Sequence, residues 1–168
     1  MKSHEKNYAF IDAQNLYLAI KSQGWKLDYK KLLTFMHDKY HVTKAFMFIG
    51  YITNNEKLYS YLNNCGYELI FKPTIRLGKT GRIKGNVDAE LVLHTLIRYR
   101  SFHKAIIVSG DGDFHCLVEY LEKKDKLKRL LIPNKENFSQ LLWQFIKKCD
   151  FVSEVRPKIE LKKIGGVA

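Results

Sequence analysis

The chain has 168 residues, 46% of them hydrophobic and 27% charged, with a formal net charge of +12. That composition suits one globular domain with a full core and excludes a disordered, collagenous or low-complexity chain. No apolar run approaches the ~20 residues of a membrane span, and residues 1–7 lack the apolar centre of a signal peptide, so a cytoplasmic protein is expected.

Lys and Arg number 29 against 17 Asp and Glu. Such an excess favours a polyanionic partner, nucleic acid above all. Cys65, Cys116 and Cys149 form no Cys-x-x-Cys and no zinc spacing, and are expected as small apolar or half-buried residues.

The first strand is expected at 7–12, an apolar and aromatic run that ends in Asp12. Helices at 15–23 and 28–39 follow, then a strand at 44–51, a helix at 55–65 and a strand at 67–72. Segment 72–85 breaks the rhythm, with five cations, three glycines and no acid. Connections of this length are usually functional or disordered. A helix at 86–99, a strand at 104–109, a helix at 112–124, a strand at 127–132 and a helix at 138–147 complete the set. Alternation of this kind gives an α/β fold, a three-layer sandwich around a mostly parallel sheet. Ala45-Phe46-Met47-Phe48-Ile49 is apolar on both strand faces, as a sheet covered twice requires. A strand order of 3-2-1-4-5 would set the strand ending at Asp12 beside the one ending at Ser109. Residues 1–155 are expected as a single domain, and 156–168 as a basic, mobile tail.

Three motifs carry acids. Ser109-Gly110-Asp111-Gly112-Asp113-Phe114 follows a strand, and its glycines permit a sharp turn. A turn with a helix cap accounts for one acid there, but not readily for two. In Phe10-Ile11-Asp12-Ala13-Gln14-Asn15, Asp12 ends a buried strand, where an unpaired carboxylate is costly. Asn15 opens the next helix as a cap, or positions a water or phosphate. In Lys84-Gly85-Asn86-Val87-Asp88, Asn86 resembles an N-cap, with Asp88 in the first turn. Carboxylates gathered beyond strand ends repel one another unless a cation lies between them, and oxygen ligands suit Mg²⁺ or Mn²⁺.

Two other patterns fail on inspection. Gly110-Asp111-Gly112 lacks the third glycine of a dinucleotide turn, since position 115 is His, and Gly78-Lys79-Thr80 lacks the leading glycine of a Walker A loop. The six histidines show no zinc spacing, and His94 and His115 are expected in structural or surface roles. No Ser-His-Asp or Cys-His arrangement is readable.

The three acidic motifs resemble the NYN-domain, PIN-like ribonuclease superfamily, in its bacterial LabA-like branch. The match covers roughly residues 7–152, with a weaker echo in Pro133-Asn134 and Ser139-x-Leu141-Leu142. The resemblance implies a PIN-like fold and metal-dependent cleavage of RNA phosphodiester bonds. By motif position it assigns Asp12, Asp88, Asp111 and Asp113 to the acidic, metal-binding cluster, with Asn15 and Ser109 in support. It also implies a homodimer. Relatives often carry an acid where this chain has His94, so a single-ion site or a non-catalytic RNA-binding module stands as the alternative. Arg76, Lys79, Arg82, Lys84 and Lys135 are expected to grip the RNA backbone. A phosphatase with Asp12 as nucleophile would want a second acid at position 14, which is Gln.

Overall fold

The computed structural model describes residues 5–72, 75–77, 82–84 and 87–162, with the backbone alone at 75–77 and 82–84. Lys79, Gly85 and Asn86 lie outside the described residues. The chain runs β1 (Asn7–Asp12), α1 (Ala13–Ser22), α2 (Tyr29–Tyr40), β2 (Val42–Gly50), α3 (Glu56–Cys65) and β3 (Glu68–Lys72). A hairpin of β4 (Ile75–Leu77) and β5 (Arg82–Lys84) comes next, then α4 (Asp88–Ile97) and β6 (Ala105–Val108). A 3-10 turn (Gly112–Phe114) leads into α5 (His115–Lys123), followed by β7 (Leu127–Ile132), a 3-10 run (Gln140–Lys148), β8 (Cys149–Phe151), a 3-10 turn (Val152–Val155) and α6 (Arg156–Ile159).

Six strands form one parallel sheet in the order β3-β2-β1-β6-β7-β8. The expected order holds, extended by the edge strand β8, which the three-residue run Cys149–Phe151 is too short to announce. The order reverses between β1 and β6, and such a reversal opens a crevice beyond the carboxyl ends of the strands. Ile11 pairs with Val108, so Asp12 and Ser109 are the next residues out on neighbouring strands.

Side chains of β1 alternate between two cores. Ala9 and Ile11 pack with Leu16, Ile20, Leu32 and Met36 on one face. Tyr8 and Phe10 pack with Leu91, Leu117, Val118 and Leu121 on the other. Every residue of β1 is buried, which is why its sequence reads as an unbroken apolar run. Buried Asn7 ties the start of the sheet together, donating to the Tyr40 carbonyl (2.7 Å) and accepting from the Lys104 N–H (3.0 Å).

Several expectations change. The segment 72–85 is not simply a loop, because β4 and β5 pair antiparallel within it. Segment 112–124 starts as a 3-10 turn and becomes α-helical only at His115. Segment 138–147 winds as a 3-10 run. Cys116 is exposed, while Cys65 and Cys149 are half-buried as expected. The segment that follows Arg156 contacts the domain. Ile159 is fully buried against the α2 side of the sheet, its carbonyl accepts from the Asp28 N–H (2.9 Å), and Leu27 bridges to Glu160. The basic composition of the segment hid Ile159, which packs into the core; residues 163–168 lie outside the described residues. No helix among the described residues is long and apolar enough to cross a membrane.

Truncating Ile159 to Ala should therefore cost about 2–4 kcal/mol of unfolding free energy, as for other buried aliphatic residues. Urea denaturation measures it, and a change below about 0.5 kcal/mol, the range of ordinary surface substitutions, would detach residues 156–162 from the core.

Candidate metal centre

The switch in strand order gathers the acids. Asp12, Asp88 and Asp111 each offer a carboxylate oxygen, and these oxygens lie within 4.8 Å of one another. They arrive from three separate segments: the end of β1, the first turn of α4, and the turn after β6.

Asp12 is only 5% exposed. It caps α1, with the Asn15 N–H donating to its Oδ1 (3.1 Å), while the Ser109 hydroxyl donates to its Oδ2 (3.3 Å). Asn15 is expected from the sequence either to cap this helix or to position a water or phosphate, but α1 already begins at Ala13, which makes Asp12 the cap and puts Asn15 in the first turn. The Asn15 side chain is thereby released to reach across the crevice, where its Oδ1 accepts from the Gly110 N–H (2.9 Å). Ser109 Oγ in turn accepts from the Asp111 N–H (3.1 Å). Asn15 and Ser109 thus join the two strand ends and fix Asp12 relative to Asp111.

Asp111 caps the 3-10 turn, accepting from the Asp113 N–H at its Oδ1 (3.0 Å). Capping and clustering are not competing roles here, since one carboxylate carries two oxygens. Asp113 is exposed and lies outside the group of three. Spacing suggested that acids at i and i+2 would share a target, but the 3-10 geometry brings only the Asp113 backbone back to Asp111.

Burial pushes the Asp12 carboxyl up from its ordinary 3.8 to about 6, and the charges of Asp88 and Asp111 add to the rise, against the hydrogen bonds from Asn15 and Ser109. Among the described residues no Lys or Arg forms an ion pair with Asp12 or Asp111. A nearly buried carboxylate with like charges beside it and no cationic partner fits a bound divalent ion. Oxygen ligands of an octahedral Mg²⁺ at 2.0–2.1 Å stand no more than about 4.2 Å apart. The observed spacing needs only a small inward movement to match.

A second layer holds the turn. The Ser139 N–H donates to the Gly110 carbonyl (2.9 Å). A Cβ on Gly110 would stand 3.1 Å from Phe138 Cβ, and one on Gly112 would stand 3.0 Å from Ser139 Cβ and 3.2 Å from Leu141 Cδ1. Both glycines are required by this close approach. Sequence reasoning found the glycines but not the segment pressed against them; the weak Ser139-x-Leu141-Leu142 pattern was its one trace.

His94 and His115 are not members of the acid group. His94 sits between Glu90 (3.8 Å) and Arg98 (2.7 Å) with its ring against Phe48, and His115 contacts Gln144 and Phe145. Lys135 pairs with Glu154 (2.7 Å) and lies over the Phe151 ring. Arg76, Arg82 and Lys84 fall on β4 and β5, where the backbone alone is described.

Over residues 7–153 the sequence matches the family of NYN domains. The chain belongs to the NYN domain family. It is 23% identical over 124 residues to the low amplitude and bright protein LabA of Synechococcus elongatus, an overlap of 68% of this chain and 67% of that one. A crystal structure of a Vibrio parahaemolyticus protein of unknown function superposes with a TM-score of 0.75 at 22% identity, covering 96% of this chain and all of the other. That second likeness shows the shared fold. NYN domains place the chain within the PIN-like nuclease superfamily, and the acid group adds a donor set suited to a divalent ion.

The raised Asp12 carboxyl has a stability consequence. Its pKa is higher folded than unfolded, so ionisation penalises the native state above about pH 6, and the penalty fades as pH falls through 6 toward 3.8. In EDTA, Asp12→Asn should be more stable than wild type by roughly 2–3 kcal/mol at pH 7.5, with a much narrower gap at pH 4.5. Chemical denaturation at both values tests this, and an equal gap would show that Asp12 bears no such cost.

Proposed function

We propose that this protein is a metal-dependent ribonuclease that cleaves RNA phosphodiester bonds at the Asp12–Asp88–Asp111 centre. The supporting observation is the convergence of three carboxylate oxygens within 4.8 Å at the sheet's switch point, in an NYN-family chain of net charge +12. Asp12 and Asp111 hold the ion directly, and Asp88 completes the set. When bound, Mg²⁺ or Mn²⁺ supplies an activated water and neutralises charge on the phosphoryl oxygens. Ser109 and Asn15 keep the two principal acids in register. Asp113, exposed at the rim, orders water rather than binding the ion. Burial of Asp12 excludes bulk water from one side of the site and strengthens the electrostatics within it.

The hairpin leads directly into the helix bearing Asp88, which puts Arg76, Lys79, Arg82 and Lys84 in a segment tied to the site. These cations offset the repulsion between RNA phosphate and the carboxylates. Lys135 is a further phosphate contact, because an exposed ion pair such as Lys135–Glu154 is weak enough for phosphate to compete with it. RNA as substrate is consistent with action in the cytoplasm.

Asp111→Asn should abolish Mn²⁺-dependent cleavage of RNA while leaving the fold intact, since a lost ligand removes several kcal/mol of transition-state stabilisation. Near wild-type turnover in the folded variant would remove Asp111 from the mechanism. RNA binding without any metal-dependent cleavage by the wild type would instead make the protein a binding module.

The double variant Lys79→Ala, Arg82→Ala should weaken RNA binding at low salt. Each lost phosphate contact lowers the slope of log affinity against log salt by about 0.7 for single strands, so the slope should flatten by about 1.4. An unchanged slope by fluorescence anisotropy would move the RNA grip elsewhere.

A further inference from the structure

Beside the acids lies a cleft of about 490 Å³, between α1 and the segment after β7. Its lining includes Asn15, Ser22, Asn134, Asn137, Phe138 and Ser139. The volume is that of a small-molecule site. None of the described residues that line it carries an ionisable side chain, although the chain as a whole is strongly basic. A phosphate would be drawn to Lys and Arg, and a cation to the neighbouring carboxylates. A space bounded by amides, hydroxyls and an aromatic ring suits an uncharged, flat, hydrogen-bonding group.

The cleft and the acid centre share structure. Asn15 lines the cleft, and its N–H binds Asp12. Because Asn15 Oδ1 is committed to the Gly110 N–H, its amide Nδ2 remains as the donor. Asn134 is oriented in the same way, its Oδ1 accepting from the Glu136 N–H (3.0 Å). Asn137 is exposed at the edge. Phe138 supplies an aromatic wall and is stacked on Trp143, with centroids 5.3 Å apart and planes at 21°. Trp143 is itself 55% exposed. Amide groups read the edges of unpaired bases, and aromatic rings stack on their faces.

We propose that this cleft receives an unpaired nucleobase from the nucleotide flanking the scissile phosphate. The proposal deepens the ribonuclease reading and rests on it for the identity of the ligand. A base held in a duplex stack cannot enter the cleft while its phosphate sits at the acids. Selectivity for an unpaired strand over polyanions without bases then comes from this cleft, and general affinity from the cations.

Binding in EDTA tests the idea independently of cleavage. A labelled eight-nucleotide single-stranded RNA is compared by anisotropy with its duplex, and with versions carrying one abasic nucleotide at each position in turn. Two variants probe the cleft. Phe138→Ala removes the wall, and Ser22→Tyr blocks the space from an exposed position at the end of α1, where the fold tolerates it. Both should weaken single-strand binding about tenfold or more, the scale of one lost base stack. Mn²⁺ affinity by calorimetry should be unchanged in both. Wild type should discriminate sharply against one abasic position, and Ser22→Tyr should lose that discrimination. Full affinity in folded Ser22→Tyr, uniform tolerance of abasic positions, or equal binding of duplex would each overturn the proposal. Cleavage by wild type in Mn²⁺ is read separately, so base-dependent binding without cleavage overturns only the nuclease reading, and cleavage without base-dependent binding overturns only the cleft.

Discussion

The Asp12 carboxylate ends a strand that is buried along its whole length, and it is almost as buried as the strand itself. A charge in that position must be compensated or neutralised. Its immediate hydrogen-bond partners, the Asn15 N–H and the Ser109 hydroxyl, are neutral, and the charges of two more carboxylates, Asp88 and Asp111, raise its pKa further. Part of the compensation comes from the helices. Asp12 and Asp111 are N-caps, and Asp88 opens α4, so each acid sits at the positive end of a helical segment. Each such placement contributes roughly 0.3–1 kcal/mol, which does not cover a carboxyl raised to about 6. The fold therefore retains an electrostatic deficit at its switch point, which a divalent ion would remove.

The distribution of the other charges keeps that deficit local. Glu5 pairs with Lys128, Glu68 with Lys44, and Asp125 with Lys104. These pairs lie where strands begin, at the opposite end of the sheet from the crevice. Acids there are matched by cations, whereas among the described residues no Lys or Arg pairs with Asp12 or Asp111. The surplus of Lys and Arg still sets the long-range field and draws polyanions toward the molecule. Attraction at a distance and the centre's own negative charge thus operate on different length scales.

Much of this was legible in the sequence because the central strands are apolar on both faces, β1 ends in an acid and an acidic turn follows β6. Strand order followed from one general habit of doubly wound sheets. What could not be read was set by contacts remote in sequence. Asn15 resembles a helix cap until Gly110 is placed 2.9 Å from its side chain. Asp113 matches Asp111 in spacing, and only the 3-10 turn shows that its carboxylate lies apart. Gly112 resembles a simple turn residue, but Ser139 and Leu141 leave no room for a Cβ there. Ile159 lay unnoticed among basic neighbours, because composition averages over the single position that enters the core.

The clamp from Ser139 to Gly110 has a bearing on how the molecule is made. All three clustered acids have been synthesised by residue 111, but the hydrogen bond that holds their turn comes from residue 139, and the edge strand β8 follows at Cys149–Phe151. Chains fold as they emerge, N-terminal parts first. A nascent chain stopped short of residue 139 carries all three acids but lacks the bond from Ser139 that holds their turn. The acidic site thus matures late on the ribosome, after most of the sheet is in place, and a truncated product would leave synthesis without it.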